Sequence, residues 1–301
     1  MRIVFYGTPQ FAVASLRKIL ENNYNIVAVV TSPDKPAGRG MKLNYSAVKQ
    51  YAIEKNLKIL QPENLKSEAF YNELISLKPD LQIVIAFRML PEKIWKFPPL
   101  GTFNLHASLL PDYRGAAPIN RAIMNGERVT GVTTFFLKHE IDTGNIILQE
   151  SIVIEPSDNA GTLHDKLMET GAELVLKTLE KIKNGVAIEI PQIHNQTYHL
   201  APKIFSADCK IDWKRNLNEI NNQIRGLSPY PGAFTSINNK LLKIFNGYYV
   251  KEKVEKTGIF EITNEKKLRI SCSDGWYYPQ TVQYEGKRKM EIGEFINGFK
   301  I

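Results

Sequence analysis

The sequence predicts an α/β fold: a doubly wound, mostly parallel Rossmann-like sheet in the N-terminal part, then a smaller C-terminal antiparallel β-barrel of OB-like type. Three observations predict it. Short apolar runs alternate with amphipathic helical stretches from the first residues onward, a pattern that yields a parallel sheet covered by helices. Past residue 205 the texture changes to short strand-like runs punctuated by Pro, Gly and Asn, as in small barrels. The length, 301 residues, exceeds what one hydrophobic core usually supports. The expected division is residues 1–187, a connector over 188–205, and a second domain over 206–301.

The elements follow in order. "RIVFYG" is a short buried strand, "TPQFAVASLRKILENN" carries apolar residues at helical spacing, and "YNIVAVVTS" is again a strand, giving a βαβ opening. "SPDKPAGRGMKLNYS" is then longer than the usual connection of about 2 to 6 residues, and reads either as a functional loop or as a solvated one. "LKIL", a helix around "SEAFYNELISLK", and the strands "LQIVIAF" and "GTFNLHAS" continue the pattern. "GVTTFFLK" through "NIILQESIVIEP" alternates like a hairpin or meander. "AGTLHDKLMETGAELVLKTLEKIKNG" is a long amphipathic helix with Gly185 at its stop. A helix around "NLNEINNQIRGL" precedes "SPYPGAF", where Pro229, Pro231 and Gly232 make a stiff turn into the barrel strands "KLLKIFNGYYV", "KLRISC" and "WYYPQTVQY".

Composition bounds the function. Hydrophobic residues make up 43% and charged residues 23%, ordinary for a globular protein. No apolar run approaches the roughly 20 residues that span a bilayer, and "MRIVFYGTPQ" lacks the features of a secretory signal, so no membrane association and a cytoplasmic location are expected. Cys209 and Cys272 show no metal-ligand spacing and read as packing residues; no metal is expected. The net charge is +8, and residues 206–301 hold 16 Lys plus Arg against 11 Asp plus Glu, compatible with a polyanionic partner. The turn "GTPQFA" lacks the G-x-G-x-x-G fingerprint of a dinucleotide site, which argues against nicotinamide or flavin.

The chemistry concentrates in "FNLHASLLPDYRGA". Residues at i and i+2 of a strand face the same way, so Asn104 and His106 stand side by side at the carboxyl end of a strand, where doubly wound sheets bind ligands. An imidazole handles a proton near neutral pH, an Asn amide can donate to a developing oxyanion, and an Asp orients the imidazole. Asp142 in "HEIDTGNII" is the candidate Asp; the alternative is a turn-former that bonds its own backbone. Neither Cys lies here, and Pro111 argues against the strand continuing to Ser108, so a covalent intermediate is not indicated. The trio suits direct attack of an amine on a carbonyl.

"FNLHASLLPDYRGAAPINRAIMNGE" with "HEIDTGNI" resembles the formyltransferases that use 10-formyltetrahydrofolate, and "VFYGTPQFA", "SPDKPAGRGMKL", "APKI", "IDW", "IRGLSPYPGAF" and "GKRKM" extend the likeness along nearly the whole chain. The resemblance implies that residues 1–187 are a catalytic domain and 206–301 a tRNA-binding barrel. It implies Asn104, His106 and Asp142 as the catalytic set, with Ser108, Leu109, Leu110, Pro111, Phe87, Arg88, Leu90 and Ile141 around the folate. The implied acceptor is the methionine carried by initiator tRNA, the implied donor 10-formyltetrahydrofolate, and the implied state a monomer. Lys35, Arg39 and Lys42 of the long loop and Lys287, Arg288 and Lys289 of "GKRKM" become candidate tRNA contacts, the last three being otherwise a solvated strand end. The alternative acceptor is a small amine of sugar-nucleotide or glycinamide ribonucleotide type. One departure stands out: Phe87-Arg88 occupies the place where the family commonly has Tyr-Gly.

Overall fold

The computed structural model describes residues 1–37, 42–193 and 198–298. Backbone contacts divide the chain into two compact units. The first comprises residues 1–115, 131–152 and 165–200; the second comprises 116–130, 153–164 and 201–301.

In the first unit β1 (Arg2–Gly7), α1 (Gln10–Glu21) and β2 (Asn25–Val30) form the opening βαβ, followed by a short antiparallel hairpin of β3 (Lys35–Ala37) and β4 (Lys42–Asn44). Gly7 ends β1 because a Cβ there would meet Ala12 Cβ at 2.6 Å; the tight entry into α1 leaves no room for a side chain. Then come α2 (Ala47–Glu54), β5 (Ile59–Leu60), α3 (Glu68–Ser76), β6 (Leu81–Ile85), α4 (Glu92–Trp95), β7 (Thr102–His106) and β8 (Arg114–Gly115). Ser46 and Ser67 cap α2 and α3 by accepting from Lys49 N and Phe70 N. After α5 (Pro118–Met124) the chain returns through β9 (Val129–Phe136), β10 (Ile146–Val153) and the long α6 (Ala160–Lys183), which stops before Gly185 at φ +67°.

The sheet runs β10-β9-β7-β6-β1-β2-β5. The pairs β5–β2, β2–β1, β1–β6 and β6–β7 are parallel, and β9 joins β7 antiparallel. Strand order reverses between β1 and β6, the switch point where such sheets open a crevice at the carboxyl ends of their strands. Those ends carry a polar cluster in which Lys49 pairs with Asp34 and holds its carboxyl below the usual range; Gln61 also donates to Asp34 at 2.9 Å. One face of the sheet buries Val4, Tyr6, Ala28, Val30 and Val84 with Phe70, Leu74 and Ile94.

The second unit continues from β11 (Leu200–Ala201) through α7 (Ser206–Cys209), α8 (Leu217–Leu227), β12 (Ala233–Ile237), β13 (Lys240–Lys251), β14 (Phe260–Ile262), β15 (Leu268–Cys272), β16 (Gly275–Tyr284), β17 (Lys289–Glu291) and α9 (Ile292–Gly298). The antiparallel sheet runs β12-β13-β16-β15-β14 with β17 on β16, and register shifts around Asn246 bend β13 against β16. A reciprocal Asn216–Glu219 capping box starts α8, whose Leu217, Ile220, Ile224 and Leu227 pack with Trp213, Ile244, Ile270 and Tyr277. Helix α5 packs on α8 so closely that a Cβ on Gly226 would lie 2.5 Å from Met124 Cγ. Cys209 and Cys272 are buried free thiols of this core.

Candidate active site

β7 ends on His106, placing Asn104 and His106 on the same face at its carboxyl end, opposite Phe135 and Thr133 of β9. The turn that follows is tied down from below. Thr133 Oγ1 donates to Ser108 O at 2.7 Å and accepts from Leu110 N at 3.1 Å, while Gln149 Nε2 donates to Leu110 O at 2.8 Å and to Thr133 Oγ1 at 3.0 Å. Leu110 packs against Phe135 and Ile146. The Ser108 hydroxyl is turned inward and donates to Asp112 O at 2.6 Å.

Both nitrogens of His106 face acceptors. Nε2 lies 2.8 Å from Tyr113 O, and Nδ1 lies 3.8 Å from Asp142 Oδ2, with the two side chains 8% and 10% exposed. Because a carbonyl only accepts, the Tyr113 contact assigns a proton to Nε2. Asp142 does not cap its own turn: Oδ2 accepts from Gly115 N, 27 residues earlier, at 3.0 Å. Tyr113 and Asp142 have φ of +60° and +55°, left-handed conformations that cost a non-glycine residue of order 1–3 kcal/mol and cluster at functional sites. Asn104 Oδ1 is buried with no hydrogen-bond partner among the described residues. An orphaned amide oxygen beside a paired imidazole and carboxylate is a set that awaits a polar ligand.

The remaining candidates scatter. Leu90 is buried in the core, Phe87 is half-buried with its ring 5.6 Å from that of Tyr6, and Ile141 is exposed beside Asp142. Leu109 stands over Gly131, where an added Cβ would meet its Cδ2 at 2.5 Å, and Pro111 is half-buried. Arg88, at the site of the sequence departure, donates to Pro62 O and Glu63 O at 2.8 and 3.1 Å. His139 is 89% exposed and 3.8 Å from Glu92. Arg39 lies outside the described residues, between the strands that carry Lys35 and Lys42. In "GKRKM", Arg288 pairs with Glu294, Lys289 sits 3.7 Å over the Phe245 ring, and Lys287 is exposed. Residue spacing does not disclose Tyr113 and Gly115, which act through backbone groups, nor Gln192, whose amide donates to Asp142 O and Gly144 O. Among the described residues no group of three or more His, Cys, Asp or Glu is placed to hold a metal, and no helix is long and apolar enough to cross a membrane.

Two family models match the chain: formyl transferase over residues 1–179, and formyl transferase, C-terminal domain, over residues 203–300. A protein of Flavobacterium johnsoniae named methionyl-tRNA formyltransferase is 50% identical over 302 residues, covering 99% of this chain and 96% of the relative. A Bacteroides thetaiotaomicron protein of the same name is 48% identical, covering 100% and 96%. Among solved structures, an N-formyltransferase from Helicobacter canadensis in complex with folinic acid and dTDP-3-aminofucose has a TM-score of 0.68 at 26% identity, covering 96% of this chain and 99% of that one.

Proposed function

The chain belongs to the formyl transferase family, and from that premise we propose that it transfers the formyl group of 10-formyltetrahydrofolate to the α-amino group of methionyl initiator tRNA. The observation that carries the reading is the meeting of Asn104, His106 and Asp142 at one strand end, in a chain about half identical over its full length to relatives of that name.

The roles follow from the contacts. The bound folate supplies an electrophilic formyl carbon. With Nε2–H given to Tyr113 O, neutral His106 presents the lone pair of Nδ1, which receives the proton of the attacking amine. Asp142, 3.8 Å away, stabilises the imidazolium so formed and keeps the ring in place; as the bond from the formyl carbon to the folate nitrogen breaks, the imidazolium returns that proton to the leaving nitrogen and tetrahydrofolate departs. Asn104 donates its amide N–H to the formyl oxygen as negative charge develops there, in a site largely screened from water. Backbone groups of Phe87 to Leu90 and Ser108 to Pro111, with Ile141, line the folate; the buried side chains of Leu90, Ser108 and Leu110 act by shaping that backbone.

The basic surplus of the C-terminal part and the β3–β4 hairpin serve the tRNA, with Lys35, Arg39, Lys42, Lys287, Arg288 and Lys289 as phosphate contacts. In this reading the enzyme works as a monomer, in the cytoplasm where its acceptor is used. A small-amine acceptor is the second reading, favoured by the likeness to the Helicobacter canadensis enzyme. The test is formyl transfer by the purified protein from 10-formyltetrahydrofolate to methionyl initiator tRNA and, in parallel, to dTDP-3-aminofucose and glycinamide ribonucleotide. Formylation of the tRNA alone is expected; formylation of a small amine alone would replace the tRNA reading.

A further inference from the structure

We propose that Gln192 is a positioning residue for catalysis: from the segment expected to be a mere connector, it holds the Asp142 turn in its working conformation. The inference rests on the role given to Asp142 above.

Gln192 is 5% exposed and every hydrogen-bonding site of its amide is used. Nε2 donates to Asp142 O at 2.9 Å and to Gly144 O at 2.8 Å; Oε1 accepts from Arg114 Nε at 3.1 Å and from Arg114 Nη2. The first of these two carbonyls belongs to Asp142 itself, whose φ of +55° is a conformation that persists only where its surroundings over-determine it. Gly144 is pressed from the other side, since a Cβ there would lie 1.6 Å from Phe136 O. Arg114 immediately precedes Gly115, whose N–H takes the Asp142 carboxylate, and follows Tyr113, whose carbonyl takes His106 Nε2. One amide thus couples the turn that carries the carboxylate to the strand that receives it. A few residues on, His199 O accepts from Tyr113 N at 2.7 Å and the two rings stack at 5.5 Å, so residues 192 and 199 hold the two groups that flank the imidazole.

The alternative, that Gln192 only fastens a passing segment, predicts lost stability without a specific effect on Asp142. Gln192→Glu separates the two, because it keeps the size and the acceptor for Arg114 while replacing the two N–H donors by a charged oxygen that repels both carbonyls. The first measurement needs no substrate: amide exchange at Gly115 in the full chain, with the unfolding midpoint as control. Exchange at Gly115 raised at least about 10-fold beyond the rise that the lowered midpoint imposes on other buried amides is expected, since the Gly115 N–H reports whether the carboxylate is in place. The second is a double-mutant cycle on kcat for formyl transfer. Gln192→Glu should lower kcat roughly 10- to 100-fold with KM for either substrate within about 3-fold, because small misplacements of catalytic groups cost about that much. In an Asp142→Ala background the same change should cost under about 3-fold. Gly115 exchange raised no more than that of other buried amides, or equal losses in both backgrounds, would overturn the proposal. Gln192→Ala serves in both measurements if the Glu variant does not fold. Absence of formyl transfer by the unaltered protein, with the exchange result as expected, counts against the proposed function and leaves the positioning of Asp142 standing.

Discussion

The carboxylate of Asp142 takes the backbone N–H of Gly115 at 3.0 Å while facing His106 Nδ1 at 3.8 Å, so the same oxygen that anchors the turn also serves the imidazole. Asp142→Asn keeps an acceptor for Gly115 and discards the charge. It should lower kcat about 10²- to 10⁴-fold with the unfolding midpoint unchanged; His106→Ala should lower kcat as far and, by removing the donor to Tyr113 O, lower the midpoint as well. Initial rates beside a thermal melt read both; full activity in either variant would remove that residue from the catalytic set.

Thr133 is the hub beneath the turn that follows His106, with its hydroxyl making three hydrogen bonds in a fully buried position. Thr133→Val strands Ser108 O and Leu110 N and should cost about 1–3 kcal/mol of unfolding free energy, read from urea midpoints. Thr133→Ser should restore most of it.

Gly226→Ala places a methyl 2.5 Å from Met124 Cγ and 2.9 Å from Asn120 O. Helices α5 and α8 must then separate, and the expected cost is about 1–3 kcal/mol, seen as a lowered unfolding midpoint.

Burial in the second core pushes the Cys272 thiol up to about 12 and raises that of Cys209. Neither thiol should react with iodoacetamide at pH 8 in the folded protein, while both should react in urea. The sign for stability follows. Unfolded Cys272 titrates near 8.5, below its folded value, so the unfolded state loses its proton first and stability falls as pH rises from about 8.5 toward 12. Cys272→Ala should flatten that part of the pH–stability curve.

The affinity for initiator tRNA should fall steeply with salt, because each neutralised phosphate releases counterions. Replacing Lys287, Arg288 and Lys289 by Ala together should reduce the slope of log affinity against log salt. The change should be smaller than three charges would suggest, since Arg288 already pairs with Glu294 and Lys289 rests on Phe245. An affinity independent of salt would remove the basic surface from tRNA binding.

Period and punctuation make most of the framework legible in the sequence. The alternation of "NLH" places Asn104 and His106 on one face, and Gly185 marks the end of α6. Other features depend on contacts that local sequence does not encode. Gly7 reads as a turn glycine, yet it is required by the approach of Ala12. Tyr113 and Gly115 enter the site by their carbonyl and N–H, which any residue possesses. Gln192 reaches Asp142 from 50 positions away in a segment with no periodicity to read.

Neither unit is a continuous length of chain, and that has a consequence during synthesis. A ribosome releases Asn120 and Met124 about a hundred residues before Gly226, the residue on which they close. The first unit likewise waits for residues 165–200 before Asp142 gains its Gln192 clamp. Until residue 200 emerges, the nascent chain carries two half-built cores at once; the first can then close, while the second, begun at residue 116, stays open until residues 201–301 are made.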